Sequence, residues 1–175
     1  RQEIKDELQL AKFGLEEHVH DPAMFLPFPD RRSMLWRPDA AWNAREVAKF
    51  SETDAKALPT YDAFWADFAE MVEPTMLAPP VSLADLAQLV TTPDAEDFIR
   101  KTLLMSVQDV LDDFFESEEV KVSLGTSAVS GTLAGPRTPG TAFVLGHHSL
   151  GTINGQKGVW GWAQGGLGGI TEALA

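Results

Sequence analysis

The sequence predicts an α+β fold, mainly helical with a small β element, and three observations carry that expectation. From Ala41 to Glu119 apolar residues recur at three- and four-residue spacing, the period of an amphipathic helix and not the two-residue period of a half-buried strand. Extended character is confined to short runs, two near the start and one at Val159–Ala163. Thirteen of the 14 glycines lie from Gly125 onward, and residues 125–175 carry only Arg137, Lys157 and Glu172 as charged side chains, although the whole chain has 14 Lys+Arg and 26 Asp+Glu. Composition therefore divides the chain into residues 1–124, a hairpin and an acidic helical region, and residues 125–175, a glycine-rich, aromatic segment.

Glu3–Leu10 reads as a helix with no capping residue before it. Leu15–Phe28 and Ser33–Arg37 read as two strands joined by Pro29-Asp30-Arg31-Arg32, which is turn chemistry. Phe25, Phe28, Leu35 and Trp36 are expected on the buried side, and Pro22 and Pro27 mark the first run as an edge strand. Asn43–Phe50 makes a short helix. Ser51 and Asp54 have capping-box spacing and open the next helix, which Pro59 is expected to end. Thr60 then caps a helix in which Tyr61, Phe64, Trp65, Phe68, Met71 and Val72 form a core-facing stripe. Pro74, Pro79 and Pro80 mark an irregular connector, after which Ser82 and Asp85 cap a helix carrying Leu83, Leu86, Leu89 and Val90.

The longest helix is expected from Thr92-Pro93 to about Phe115, with Phe98, Val107, Val110, Leu111, Phe114 and Phe115 packed inward. Asp109, Asp112, Asp113, Glu116, Glu118 and Glu119 fall on its wet face or beyond its end. In Val159–Ala163 the alternation of a strand sets Trp160 and Trp162 on one face and Gly161 on the other. Gly165–Gly169 then turns into a helix carrying Thr171 and Glu172. A chain that starts inside one helix-like stretch and stops about a turn into another is expected to be a portion of a longer protein.

A net charge of -12 opposes attraction to phosphate backbones and anionic lipid surfaces, so no nucleic-acid partner is expected. The absence of Cys removes disulfides, thiolate chemistry and Cys-based zinc sites. His18 and His20 share a face if their run is a strand, with Asp21 beside them. Two imidazoles and one carboxylate fall short of a metal site, and none is expected. No apolar run reaches the roughly 18–20 residues of a spanning helix, and the expected location is the cytoplasm, or the mitochondrial matrix in a eukaryote. No H-E-x-x-H, Walker loop or nucleophile elbow occurs, which sets hydrolase and nucleotide triphosphatase readings aside.

The glycine-rich end is the informative text. Gly135-Pro136 and Pro139-Gly140 are turn dipeptides around Arg137, and Val144-Leu145-Gly146-His147-His148 follows. The segment from Gly158 to Gly169 combines a short strand, a glycine turn and a helix start, where backbone N–H groups can approach a planar or anionic ligand. The dinucleotide fingerprint G-x-G-x-x-G is not met there, because Thr171 stands where Gly166 and Gly168 call for a third glycine.

The run Phe114–Ser117, Gly135 to His148 and Gly158 to Ala175 resembles the phytoene desaturase-like branch of the FAD-dependent amine oxidoreductases. It is similar in particular to its pyridine nucleotide-disulfide oxidoreductase domain-containing group. Phe28-Pro29-Asp30 and Ala48-Lys49-Phe50-Ser51 match earlier pieces in order. Leu167 replaces a Met and Gly146 a Leu of the resembling pattern, and the second change is expected to loosen the backbone at a pocket wall. The resemblance implies FAD as cofactor, a hydrophobic small-molecule substrate, and a chain that forms the internal substrate-binding region of a larger flavoprotein, inactive alone. Trp160, Trp162, Gly165 and Gly166 are the candidates for a wall facing the flavin; Arg137 and one of His147 and His148 are candidates for polar contacts with substrate or flavin. The competing expectation is a non-catalytic module that docks a partner, such as the rest of the flavoprotein, through its uncharged C-terminal surface.

Overall fold

The computed structural model describes residues 2–175, the Leu89 side chain excepted; Arg1 lies outside the described residues. It is 56% helical and 10% strand, an α+β fold dominated by helices. The chain forms two units, one made of the residues up to Asn43 with Gly151–Ala175 and the other of Ala44–Leu150.

The first unit opens with α1 (Gln2–Glu7) and a 3-10 turn at Leu10–Phe13. The early extended run is two strands, β1 (Glu17–Val19) and β2 (Met24–Pro27), because Pro22 has no N–H to continue a ladder. β2 and β3 (Ser33–Trp36) form the expected antiparallel hairpin, closed by the Phe28 N–H on the Arg32 carbonyl at 2.9 Å. Its buried residue is Met34, whereas Phe25 is 60% exposed, against expectation. The register explains the difference: Leu26 opposes Met34 and Met24 opposes Trp36 on one face, while Phe25 opposes Leu35 on the other. Phe25 and Trp36 therefore could not share a buried side. The later residues add a two-residue hairpin, β4 (Thr152–Ile153) with β5 (Gln156–Lys157), then β6 (Gly161–Ala163) and α9 (Leu167–Leu174). β6 pairs antiparallel with β1, so the small sheet element joins the two ends of the chain's sequence and leaves the hairpin separate.

In the second unit α2 (Ala40–Ala48), which begins before the unit boundary, leads to α3 (Glu52–Val72). Pro59 does not end α3. It lies inside the helix on an exposed position and removes one backbone bond. Burial of Leu58 and Tyr61 on either side holds the helix through that gap. Tyr61, Trp65 and Phe68 are buried, as the stripe predicts; Tyr61 meets Phe114 and Phe115, and Phe68 meets Phe143, edge-on at ring separations of 5.0 to 5.7 Å. Burial pushes the Tyr61 hydroxyl well above its ordinary pKa.

α4 (Leu83–Leu89) starts at the Ser82 cap as expected. The expected helix from Thr92 to Phe115 is broken, however, into α5 (Pro93–Ile99), a π turn at Arg100–Leu104 and α6 (Val107–Phe114). Ser106 and Asp109 form a full capping box at the break, with Ser106 Oγ donating to Asp109 Oδ2 at 2.6 Å. The Met105 carbonyl, freed there, accepts from the N–H of Gly140 at 3.0 Å, ahead of α8 (Thr141–His148). α7 (Glu118–Gly125) and a 3-10 turn at Thr126–Val129 complete the unit.

Several of the acidic residues are paired. Lys121 Nζ lies 2.8 Å from Asp112 and 2.6 Å from Glu118. The hydrogen bond from Lys121 holds the Asp112 carboxyl below its usual range, and the same bond raises the Lys121 ammonium above its own. Asp112 therefore adds stability that is present above the unfolded carboxylate pKa near ~4 and is lost as pH falls through the lower folded value. Lys121 adds stability present below ~10.4 and lost as pH rises through its raised value. Urea midpoints should stay level from about pH 5 to 9 and fall below about pH 4, with a shallower acid fall in Lys121→Met. An unchanged acid limb in that variant would show that the pair contributes nothing.

Candidate functional site

The residues singled out from the sequence divide between the two units. Arg137 is exposed in the turn that precedes α8, and its charge adds to the hold on Asp112. His147 and His148 occupy the last turn of α8, with ring centroids 6.1 Å apart at 74°. His147 is exposed and His148 half-buried, so the divergence of successive side chains around a helix sends the two imidazoles into different surroundings.

Gly146 does not loosen a pocket wall. A Cβ at that position would stand 2.5 Å from Phe68 Cε1 and 2.7 Å from Trp65 Cζ3. The glycine is a contact point where α8 lies directly on the aromatic face of α3. A groove of about 180 Å³ elsewhere in this unit, floored by Leu111, Gly125, Val129 and Pro136, takes in none of Arg137, His147 and His148.

The remaining candidates stand together in the first unit. Trp160 and Trp162 are 47% and 46% exposed, and the β6 chain passes from them through the turn at Gly165 and Gly166 into α9. Both glycines have positive φ, 79° and 77°, and open space where a Cβ would be. An L-residue is disfavoured there, and a ligand can approach the backbone closely. α9 has no side-chain cap at its N-terminus, where Gly166 is the capping residue. Gly161 plays the opposite part: its Cβ would meet Ile153 Cδ1 at 2.2 Å and the His18 carbonyl at 2.5 Å. Gly161 thus closes the back of the ribbon, while the two indoles on its other side are about half exposed.

Register brings β1 into this site. His18 opposes Trp162, and their rings lie 4.6 Å apart at 32°. The His20 N–H donates to the Trp160 carbonyl at 2.8 Å, continuing the same pairing by one residue. His18 and His20 were legible as a same-face pair, but nothing in the sequence assigned β1 to β6 across more than 140 residues. Asp21, the neighbouring carboxylate, pairs with Arg37 at 3.0 Å. Among the described residues no group of three or more His, Asp or Glu is placed to hold a metal ion, and no helix is long and apolar enough to cross a membrane.

Comparison with known proteins bears on the whole chain. No family model matches it. It is similar over its full length to the pyridine nucleotide-disulfide oxidoreductase domain-containing protein 2 of Rattus norvegicus, with 33% identity over 201 aligned positions. The protein of the same name from Mus musculus is 32% identical over 201 positions. The chain spans 35% of the length of each. It is therefore similar throughout to one portion of proteins named as oxidoreductases.

Proposed function

We propose that this chain is the substrate-binding portion of an FAD-dependent, phytoene desaturase-like oxidoreductase, taking a hydrophobic small molecule and inactive without the rest of the protein. The observation that carries the reading is the half-exposed indole pair Trp160 and Trp162 beside the unobstructed Gly165-Gly166 backbone, in a chain similar along its length to part of a named oxidoreductase.

The residues present suit the ring of a flavin and not its pyrophosphate. Flat indoles and side-chain-free backbone accommodate a planar ring, whereas the glycine fingerprint for the phosphates has no counterpart in the sequence. A bound flavin supplies the two-electron oxidation of a substrate C–H or C–N bond. The chain's own part is to orient and to exclude water. Trp160 and Trp162 form an apolar wall, and Gly165 and Gly166 let the ring edge come close. Phe13, Leu167 and Leu174, exposed on the packed pair formed by the Leu10–Phe13 turn and α9, give the remainder of the flavoprotein an apolar face to cover.

The isolated chain should leave gel filtration without flavin absorbance. A longer protein spanning the full length of the rat relative should be yellow, and Trp162→Ala within it should slow substrate-dependent flavin reduction while FAD content stays constant. Tight retention of FAD by the 175-residue chain alone, or an unchanged reduction rate in the variant, would overturn the proposal.

A further inference from the structure

The cross-strand ribbon of β1 and β6 presents a feature that neither strand has alone. Directly opposed residues of an antiparallel pair lie on the same face. His18 and Trp162 do so as neighbours in ring contact, and one step further His20 opposes Trp160. Alternation along each strand places all four rings on one side. All four are exposed. The intervening residues Val19 and Gly161 point to the other side, where Gly161 is closed over by Ile153 and where Ala163 is buried. Among the described residues, Glu16 shares the ring side by alternation, its carbonyl accepting from the Gln164 N–H at 2.8 Å, whereas Glu17 lies on the opposite side and pairs with Lys5, and Asp21 pairs with Arg37.

We infer that His18 and His20 complete, with Trp160 and Trp162, a four-ring wall that stacks a flat conjugated ring bearing hydrogen-bond acceptors. This rests on the reading of Trp160 and Trp162 as ligand-facing and extends it to β1. The composition selects the ligand class. Indole faces attract flat π systems. Imidazole rings add N–H donors at the edge, which an aliphatic ligand cannot use and a heteroaromatic ring can. His18 serves as a positioning residue: its ring backs Trp162 and fixes the angle of the indole. The sealed reverse side keeps the ribbon from yielding when a ring presses on it.

The probe is lumiflavin, an isoalloxazine without ribityl phosphate, titrated into the whole chain and followed by quenching of tryptophan fluorescence. Weak but saturable binding is expected, distinct from the retention of FAD that the isolated chain lacks. Trp162→Ala should weaken it on the order of tenfold or more. His18→Ala should weaken it about two- to tenfold, and His18→Phe should restore it, because a ring in place of the imidazole backs the indole again. Val122→Ala in the other unit should leave it unchanged. Unaltered binding in His18→Ala, with Trp162→Ala impaired, would remove β1 from the wall while leaving the tryptophan reading intact. No saturable quenching by lumiflavin in the folded wild-type chain, or equal quenching by a saturated ring of the same size, would overturn the inference outright.

Discussion

Gly146→Leu should abolish cooperative folding of the Ala44–Leu150 unit, and Gly146→Ala should already destabilise it by about 1–3 kcal/mol. In an open helix the second change works the other way, since alanine is favoured over glycine by about 0.8–1.0 kcal/mol. The sign is decided by what the new Cβ meets. At Gly146 it meets Phe68 and Trp65 inside van der Waals distance. Neither ring has room to retreat, because both are buried and packed against each other and Phe68 against Phe143. Gly168, near the start of α9, has nothing within 4 Å of its Cβ position. Gly168→Ala should therefore raise amide protection in α9 by hydrogen exchange, while Gly146→Ala lowers the melting temperature of the other unit. Removing the obstructing ring supplies the second test. Phe68→Ala costs about 3–5 kcal/mol by itself, yet combined with Gly146→Ala it should cost less than the sum, with a coupling of at least about 1 kcal/mol. Additive behaviour, or a Gly146→Ala variant as stable as the parent, would refute the close approach of α8 to α3.

Local rules read locally written features well. The caps at Ser51, Ser82 and Thr92, the hairpin turn and the buried stripe on α3 each depend on residues within a few positions of one another. Two misreadings arose where two local signals competed. Pro59 signals a stop, but the apolar residues around it are buried on one face, and tertiary burial outweighs one lost hydrogen bond. Ser106 and Asp109 signal a start inside a run that otherwise reads as one helix, and the cap prevails because Met105 gains partners around α8. The candidate site was legible only by half. Trp160, Trp162 and the glycine turn follow from alternation and composition, but the strand that faces them, carrying His18 and His20, is joined by register over a separation that no periodicity records. The role of Gly146 was likewise hidden, because the rings it touches lie on another helix.

Asp54→Ala should cost about 2–4 kcal/mol, and Asp54→Asn nearly as much, although asparagine is almost the same size. Asp54 is fully buried. Its capping-box position suggested that the carboxylate would reach back to its own helix start, and it does not. Oδ1 accepts from the N–H of Glu116 at 2.9 Å and Oδ2 from the N–H of Ser117 at 3.0 Å. Ser51 caps Asp54 at 3.1 Å and donates its hydroxyl to Glu116 at 2.8 Å. The first turn of α3 thereby holds the chain that enters α7, next to the packed Phe114 and Phe115. Hydrogen bonds to a charged acceptor contribute about 1.5–3 kcal/mol each, and deletion of the acceptor leaves two N–H groups in need of partners. Asparagine keeps one acceptor oxygen but turns an NH₂ toward the second backbone N–H, and two donors cannot bond to each other. Ser51→Ala, which removes the cap and the link to Glu116 while sparing the carboxylate, should cost about 1 kcal/mol. Urea unfolding of the three variants separates the possibilities. If Asp54→Asn stays within about 0.5 kcal/mol of the parent, the paired backbone acceptors are not what holds α7 in place.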